Sequence, residues 1–250
     1  MNVPMNQTQT TSPTEGGVDQ GSRPPVSRHI LSALLLAGSF ILAGSSLGAA
    51  ADPVAYINAQ NTGTVKQISA GGDSPNHTCA VTDVGAAYCW GKNNSGQLGN
   101  GEGSTNANSN VPVRVKAGDQ GSGALSGVTQ ISAGGEHTCA VTTDNYVYCW
   151  GQNYDGYLGN GTTTASKVPV RVSDANGFVN GSVREVSAGV YNTCAVTTDG
   201  AAYCWGWNDQ GQLGNNSTTD SSVPVQVKGV GGNGFLSGVT QISAGGTDDS

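Results

Sequence analysis

The chain has 250 residues, 39 of them glycine and only 11% charged, with a formal net charge of −7 at neutral pH. Its charges are scattered singly, so there is no basic stripe of the kind that neutralises phosphates, and nucleic acid is excluded as a partner. The glycine content and the short apolar runs instead suit a β-protein with many turns.

In chain order, residues 1–29 are a polar segment rich in Thr, Gln, Gly, Ser and Pro, without hydrophobic periodicity, and are expected to lack fixed structure. Arg23 and Arg28 then flank the uncharged stretch 30–51, which contains LSALLLAGSFILAG and closes on Ala49-Ala50-Ala51. A basic flank, an apolar run and a small-residue exit are the parts of a secretory signal peptide, with cleavage expected before Asp52. The alternative is an uncleaved membrane anchor, because 22 residues suffice to span a bilayer. Gly44, Ser45, Ser46 and Gly48 make the second half too polar for a strong one. Either reading exports the rest of the chain to a secreted or cell-envelope location, where cysteines oxidise. From Asp52 onward 8 Lys and Arg face 15 Asp and Glu, so the exported part alone carries the net −7.

Three long copies of one pattern follow. Counting from Ile-Ser-Ala-Gly or Val-Ser-Ala-Gly, they start at Ile68, Ile131, Val186 and, for a fourth that barely begins, Ile242, with spacings of 63, 55 and 56 residues. A fixed period is the signature of a repeat architecture. The repeats are expected at 65–127, 128–182 and 183–238, with a truncated fourth at 239–250. Pro53-Val54 echoes the Val-Pro-Val that closes each copy (Pro112, Pro169, Pro224), so 52–64 is expected to be the last strand of a partial blade. In the second copy the alternating apolar runs predict strands near Val128 to Ser132, Thr138 to Thr142, Tyr146 to Trp150 and Val168 to Val172. Four strands in roughly 55 residues make one blade of a β-propeller, so the fold class is all-β: three full blades plus partial ones.

All six cysteines fall in the repeats as Cys79/Cys89, Cys139/Cys149 and Cys194/Cys204, each pair ten residues apart across a turn ending in Gly85, Asn145 or Gly200. Those residue types accept the left-handed conformation that a three-residue hairpin loop needs. A hairpin folded there sets each Cys opposite its partner, with Cα atoms about 4.5–5.5 Å apart, inside the disulfide range. One disulfide per blade is expected. Zinc ligation is disfavoured because the C-x-x-C spacing is missing.

Three further motifs recur. Trp90, Trp150 and Trp205 follow a Cys and are expected to pack between blades, with a row of sugar-stacking rings as the alternative. Leu98, Leu158 and Leu213 anchor a Gly-x-Leu-Gly-Asn turn whose Asn100, Asn160 and Asn215 are expected to bond local backbone. His77 and His137 give way to Asn192 in the third copy, a swap that keeps hydrogen bonding and drops titration, so no catalytic Cys–His pair is read there. Asn153, Asp155, Asn208 and Asp209 lack the spacing of a calcium loop. No catalytic residue, cofactor or metal is assigned.

The combination of Ile-Ser-Ala-Gly-Gly-x-His-Thr-Cys-Ala-Val, Cys-Trp-Gly, Gly-x-Leu-Gly-Asn and Val-Pro-Val resembles the regulator of chromosome condensation repeat family, and covers Val65 to Gly246. Tyr157 replaces the Gln of that motif in the second copy. The resemblance implies a β-propeller, commonly of seven blades, and its cysteines resemble those of a secreted, bacterial-type branch. The family's founder is a guanine-nucleotide exchange factor that binds chromatin, but no residue of an exchange site maps here. Since the sequence stops where His-Thr-Cys is due, the expectation is a piece of a longer array, or several chains completing one ring. The leading functional reading is a non-enzymatic scaffold that presents the loops 102–110, 119–124 and 174–180 to an extracellular protein or glycan. An exchange-factor-like regulator and a polysaccharide-acting propeller are the alternatives.

Overall fold

A computed structural model describes residues 63–72 and 77–246. The expectations for the polar segment, the export signal and the strand in 52–64 lie outside these residues, apart from Gly63 and Thr64.

Twelve strands are present among the described residues. They are β1 (Val65–Ala70), β2 (His77–Thr82), β3 (Ala87–Gly91), β4 (Ser109–Arg114), β5 (Val128–Ala133), β6 (His137–Thr142), β7 (Val147–Gly151), β8 (Ser166–Arg171), β9 (Val183–Ala188), β10 (Asn192–Thr197), β11 (Ala202–Gly206) and β12 (Ser221–Gln226). They form three antiparallel four-stranded sheets with strands in sequence order. These are the three expected blades of an incomplete propeller. The fourth strand of the middle blade starts at Ser166, two residues before the expected Val168. It is an edge strand, which is why Pro169 is tolerated inside it although it has no amide to donate.

The central hairpins carry the disulfides. Cys79 faces Cys89, Cys139 faces Cys149 and Cys194 faces Cys204, and all three pairs are bridged. Their Cα atoms stand 4.0–4.1 Å apart, below the expected range; each pair falls at a non-hydrogen-bonded position, three steps from the hydrogen-bonded pair that closes the hairpin, where facing strands come closest. The turns use positive φ at Gly85 (74°), Asn145 (63°) and Gly200 (84°). The hairpin reading of the cysteine spacing thus holds in each copy.

Blades are joined by side chains that substitute for backbone. Gln67 donates through Nε2 to Ile131 O (2.9 Å) and accepts from Ile131 N (3.0 Å); Gln130 does the same with Val186 (2.7 and 2.9 Å). Ser69, Ser132 and Ser187 accept through Oγ from the amides of Ala133, Ala188 and Ala244 at 3.0, 3.0 and 2.9 Å. The start of the fourth copy is not a strand, yet it lies on the third blade through the last of these bonds and through Val239 N to Gly200 O (3.0 Å). In the third blade Glu185 stands where the first two have Gln, so the amide N–H that Gln67 and Gln130 donate to the next backbone is missing there.

The core lies between the sheets. Ile131 and Val186 are 0% and 1% exposed where they face the preceding blade, whereas Ile68, the first-blade counterpart, is 51% exposed. The glycine pair after Ala is part of this packing, a role that a reading of glycine as turn residue misses. A Cβ on Gly71 would collide with the carbonyl of Gly134, and one on Gly134 with that of Gly189. Only hydrogen lets the inner backbones approach so closely. Gly134→Ala is therefore expected to cost about 2–3 kcal/mol and to lower the melting temperature by about 5–10 °C. Gly245→Ala, which meets nothing within 4 Å, should leave the melt within about 2 °C of the parent. Equal melts for the two variants would contradict this account of the glycine row.

Candidate functional site

In every blade the β1–β2 and β3–β4 class of connections lies at one end, opposite the disulfide hairpin's turn. Three layers build this end.

The deepest is a knot around a buried asparagine. Asn93 accepts from Leu98 N (3.0 Å) and donates to Asn100 Oδ1 and Glu102 O (both 3.2 Å). Asn153 and Asn208 repeat it, accepting from Leu158 N and Leu213 N at 2.9 Å. Asn100, Asn160 and Asn215 in turn accept from amides two residues on, as local Asx turns. Leu98, Leu158 and Leu213 are fully buried beneath. The oxygens of Asn153 and Asn208 are thus committed to folding these loops. Among the described residues no three His, Cys, Asp or Glu side chains converge as a metal site.

The second layer joins neighbouring blades. Trp150 Nε1 donates to Gln97 O (2.9 Å) and Trp205 Nε1 to Tyr157 O (2.8 Å), and both rings are 0% exposed. Each lies against a glycine of the preceding blade, Gly99 or Gly159, whose Cβ would stand 2.7 or 2.6 Å from that nitrogen. Trp90 has the same place in the first blade and is half-buried. Two of the three rings therefore have no face to offer a sugar. Pro112, Pro169 and Pro224 are buried within the outer strands.

Beside each tryptophan runs a polar relay. Thr138 Oγ1 donates to Gln97 O (2.8 Å), so its oxygen must accept the Nε2–H of His77 (2.7 Å). Thr193 Oγ1 likewise donates to Tyr157 O (2.9 Å) and accepts from His137 Nε2 (2.8 Å). Nδ1 of each ring is buried without a partner among the described residues. Burial lowers the His77 pKa to about 4, and burial together with His77 lowers that of His137 to about 3. Both imidazoles are neutral spacers, and nothing in the repeat motif points to their cross-blade threonines.

The outermost layer differs between copies. Around Tyr157 the rings of His137 (5.6 Å) and Tyr191 (6.1 Å) gather, and Trp207 stands edge-on to Tyr191 at 5.6 Å and 84°. Tyr157 donates its phenol to Asp155 Oδ2 (2.7 Å), and burial, then that bond, push its pKa far above the ordinary phenol value. At the other end of the blades, beside the hairpin turns, the loop 174–180 is also well held: Gly181 N and Val183 N both bond the carbonyl of Asn145, the turn residue of the middle hairpin. Phe178 is buried against Tyr203 and Trp205, Asn180 bonds Val147 N and O, and Asn176 reaches Pro224 O (2.9 Å) in the next blade. In the first blade Asp119 accepts from Arg171 N (2.8 Å) in a comparable clip. A cleft of about 580 Å³ beside Gly214, Asn216, Ser217 and Lys228 is the third-blade counterpart of a packing seat. In the first two blades Gly101 N and Gly161 N use that position to bond Lys167 O and Ser222 O of the next outer strand.

Comparison with known proteins agrees with this architecture. A family model described as the regulator of chromosome condensation (RCC1) repeat matches residues 84–141, 144–196 and 199–247, and a second of the same description matches 65–97, 128–156 and 183–212. The chain is 37% identical over 183 residues to the ultraviolet-B receptor UVR8 of Arabidopsis thaliana, taking in 72% of this chain and 37% of that receptor. It is 31% identical over 166 residues to the mitochondrial RCC1 domain-containing protein RUG3 of the same plant, covering 65% of this chain and 35% of the relative. The chain thus spans little more than a third of the length of either. Among solved structures, Prp20p of Saccharomyces cerevisiae superposes with a TM-score of 0.55 at 24% identity, over 66% of this chain and 39% of that one. Human WBSCR16 gives 0.54 at 24% identity, over 66% of this chain and 38% of its own. With one blade built three times and the repeat model matched across most of the described residues, the chain belongs to the regulator of chromosome condensation (RCC1) repeat family.

Proposed function

We propose that the protein is an exported, non-enzymatic interaction scaffold, in which a disulfide-braced frame presents dissimilar loops to a protein partner. The observation that carries this reading is the contrast between frame and loops. Strand register, disulfide, Trp and Asn knot repeat in all three blades, while the outward connections do not. The loop 174–180 is pinned at both ends by Asn180 and Asn176, so it enters a complex with little ordering left to lose. Three disulfides in so small a frame support an oxidising location. Partner binding by a relative supports the class of activity: the yeast Prp20p structure is described with its binding to Gsp1p and histones. A glycan as partner, and several chains closing one ring, stay within the same reading as further proposals.

The test has two arms. Exported full-length chain should have Asp52 as its mature N-terminus by protein sequencing. The oxidised protein, immobilised and offered purified exported proteins, should capture a partner that is lost when 174–180 is exchanged for a Gly-Ser loop of equal length, with thermal stability checked in parallel. Acceleration of nucleotide release from a small GTPase would instead favour the exchange-factor reading. Turnover of a polysaccharide would favour the enzymatic one.

A further inference from the structure

Three repeat positions meet at each junction between blades, and the two junctions fill them with opposite chemistry. Between the first and second blades they are Gln97, Glu136 and Gln152; between the second and third they are Tyr157, Tyr191 and Trp207. The backbone is the same in both, since Gln152 N bonds Glu136 O and Trp207 N bonds Tyr191 O, each at 2.9 Å. All three positions have thus changed from polar to aromatic without a change in the frame. Trp207 is also the one tryptophan outside the Cys-Trp-Gly motif. Inter-blade packing does not require these rings, because the first junction closes without them.

The charges differ in a matching way. At the first junction Lys92 Nζ lies 3.8 Å from Glu136, which also accepts from Ser95 Oγ at 3.2 Å. At the second, Gln152 occupies the position of Lys92 and Asp155 that of Ser95. The Glu136 carboxylate is therefore replaced by the Tyr191 ring, a carboxylate appears instead at Asp155, and the cation is gone. Asp155 is bound by the Tyr157 phenol and by no cationic group among the described residues. Tyr154, beside it, is 71% exposed, and Asp209 is exposed two residues after Trp207. Tyr191 and Trp207 are both half-buried and meet at 84°, forming a corner of ring faces.

Aromatic faces attract an organic cation through their quadrupole, most strongly where carboxylates flank them and water is partly displaced. We propose that the corner of Tyr191 and Trp207, with Tyr154 and Asp155 on the adjoining second-blade loop and Asp209 two residues beyond Trp207, is a docking site for an arginine or lysine side chain on a basic segment of a protein partner. The partner's cation takes the role that Lys92 fills internally at the first junction. The proposal rests on the interaction-scaffold reading and adds to it a contact surface of defined chemistry at the end of the blades opposite the loop 174–180.

The test is a titration of the oxidised chain with hexa-arginine and hexa-lysine peptides, followed by tryptophan emission. Trp150 and Trp205 are sealed from solvent while Trp90 and Trp207 are half-buried, so the titration is run in a Trp90→Phe background, where the response reports chiefly on Trp207. Both peptides should bind, and binding should weaken by about tenfold or more when salt rises from about 0.05 M to about 0.5 M. Tyr154→Ala and Asp155→Asn should each weaken it by about three- to tenfold, and Glu102→Gln, remote from the corner, should not. Because Trp207→Ala removes the reporter, that variant is read by calorimetry and should show a loss at least as large as Tyr154→Ala. Tyr154 is exposed enough that its truncation leaves the fold intact, which keeps the test open if another variant is unstable. Equal binding by parent, Tyr154→Ala and Trp207→Ala would reduce the effect to attraction by net charge and overturn the proposal. So would binding of chitohexaose at Trp207 with no response to either peptide. If the peptides fail while a loop-dependent partner is still captured, this site is wrong and the scaffold reading survives.

Discussion

Removing the three disulfides together is expected to abolish the folded state at ambient temperature, and removing any one should lower the melting temperature by about 5–10 °C. Each bridge closes a loop with a sequence separation of 10, for which chain entropy gives roughly 2.5 kcal/mol. Repeat proteins sum such terms nearly independently along the array, so three bridges contribute on the order of 7–8 kcal/mol. That is comparable with the whole stability of an ordinary domain, about 5–15 kcal/mol. The bridges matter here because the blades bury small side chains: the middle hairpin is lined by Ala140, Val141 and Val147. The measurement is a calorimetric melt of the oxidised protein with and without a phosphine reductant, beside the Cys139→Ala, Cys149→Ala double variant. Non-reducing peptide mapping must show 79/89, 139/149 and 194/204. A reduced protein that melts within about 2 °C of the oxidised one would mean that packing alone holds the frame.

The repeat, the blade and the disulfides are legible in the sequence because each is a local relation. Ten residues about a turn put Cys139 opposite Cys149 whatever the rest of the chain does, and alternation places β5 to β8 within two residues. Contacts between blades are only partly legible. That Trp150 and Trp205 pack there follows from their size, but their acceptors, Gln97 O and Tyr157 O, are backbone atoms more than 45 residues away, which no side-chain pattern encodes. The glycine directly after Ser-Ala (Gly71, Gly134) reads as turn chemistry, since a requirement for hydrogen at a close approach looks the same in sequence as a requirement for positive φ. Tyr157 is visible as a departure from the motif. Its importance appears only when the fold sets it beside Tyr191 and Trp207, which belong to another copy. In a repeat protein the frame is read from what recurs, and the site from positions that break the repeat at one junction.

Acid should unfold the protein earlier than its carboxylates alone predict, because two imidazoles are buried in the neutral form. His77 and His137 each give their Nε2 proton to a threonine that is itself committed to a carbonyl, and Nδ1 lies buried without a partner among the described residues. Protonating Nδ1 would place a charge and an unsatisfied donor between two blades. Their folded pKa values, about 4 and about 3, lie below the ordinary 6.5, so the unfolded chain binds protons first. The stability these residues supply is complete above pH 6.5. It declines as pH falls, through the interval down to about 4 for His77 and on to about 3 for His137. His77 is worth on the order of 3 kcal/mol and His137 on the order of 5 kcal/mol when fully expressed, since a tenfold difference in proton affinity between the folded and unfolded chains corresponds to about 1.4 kcal/mol. Urea midpoints measured at several pH values from neutrality to about 4.5 should therefore fall steadily, and stability should be restored by neutralisation. The third blade supplies the control, since Asn192 occupies the equivalent position without a titrating proton. Replacing His77 and His137 by Asn should flatten the profile over this interval, at whatever neutral-pH stability the variant retains. A parent profile that is already flat between pH 6.5 and 4.5, or a slope that survives in the double variant, would assign the acid sensitivity to other groups.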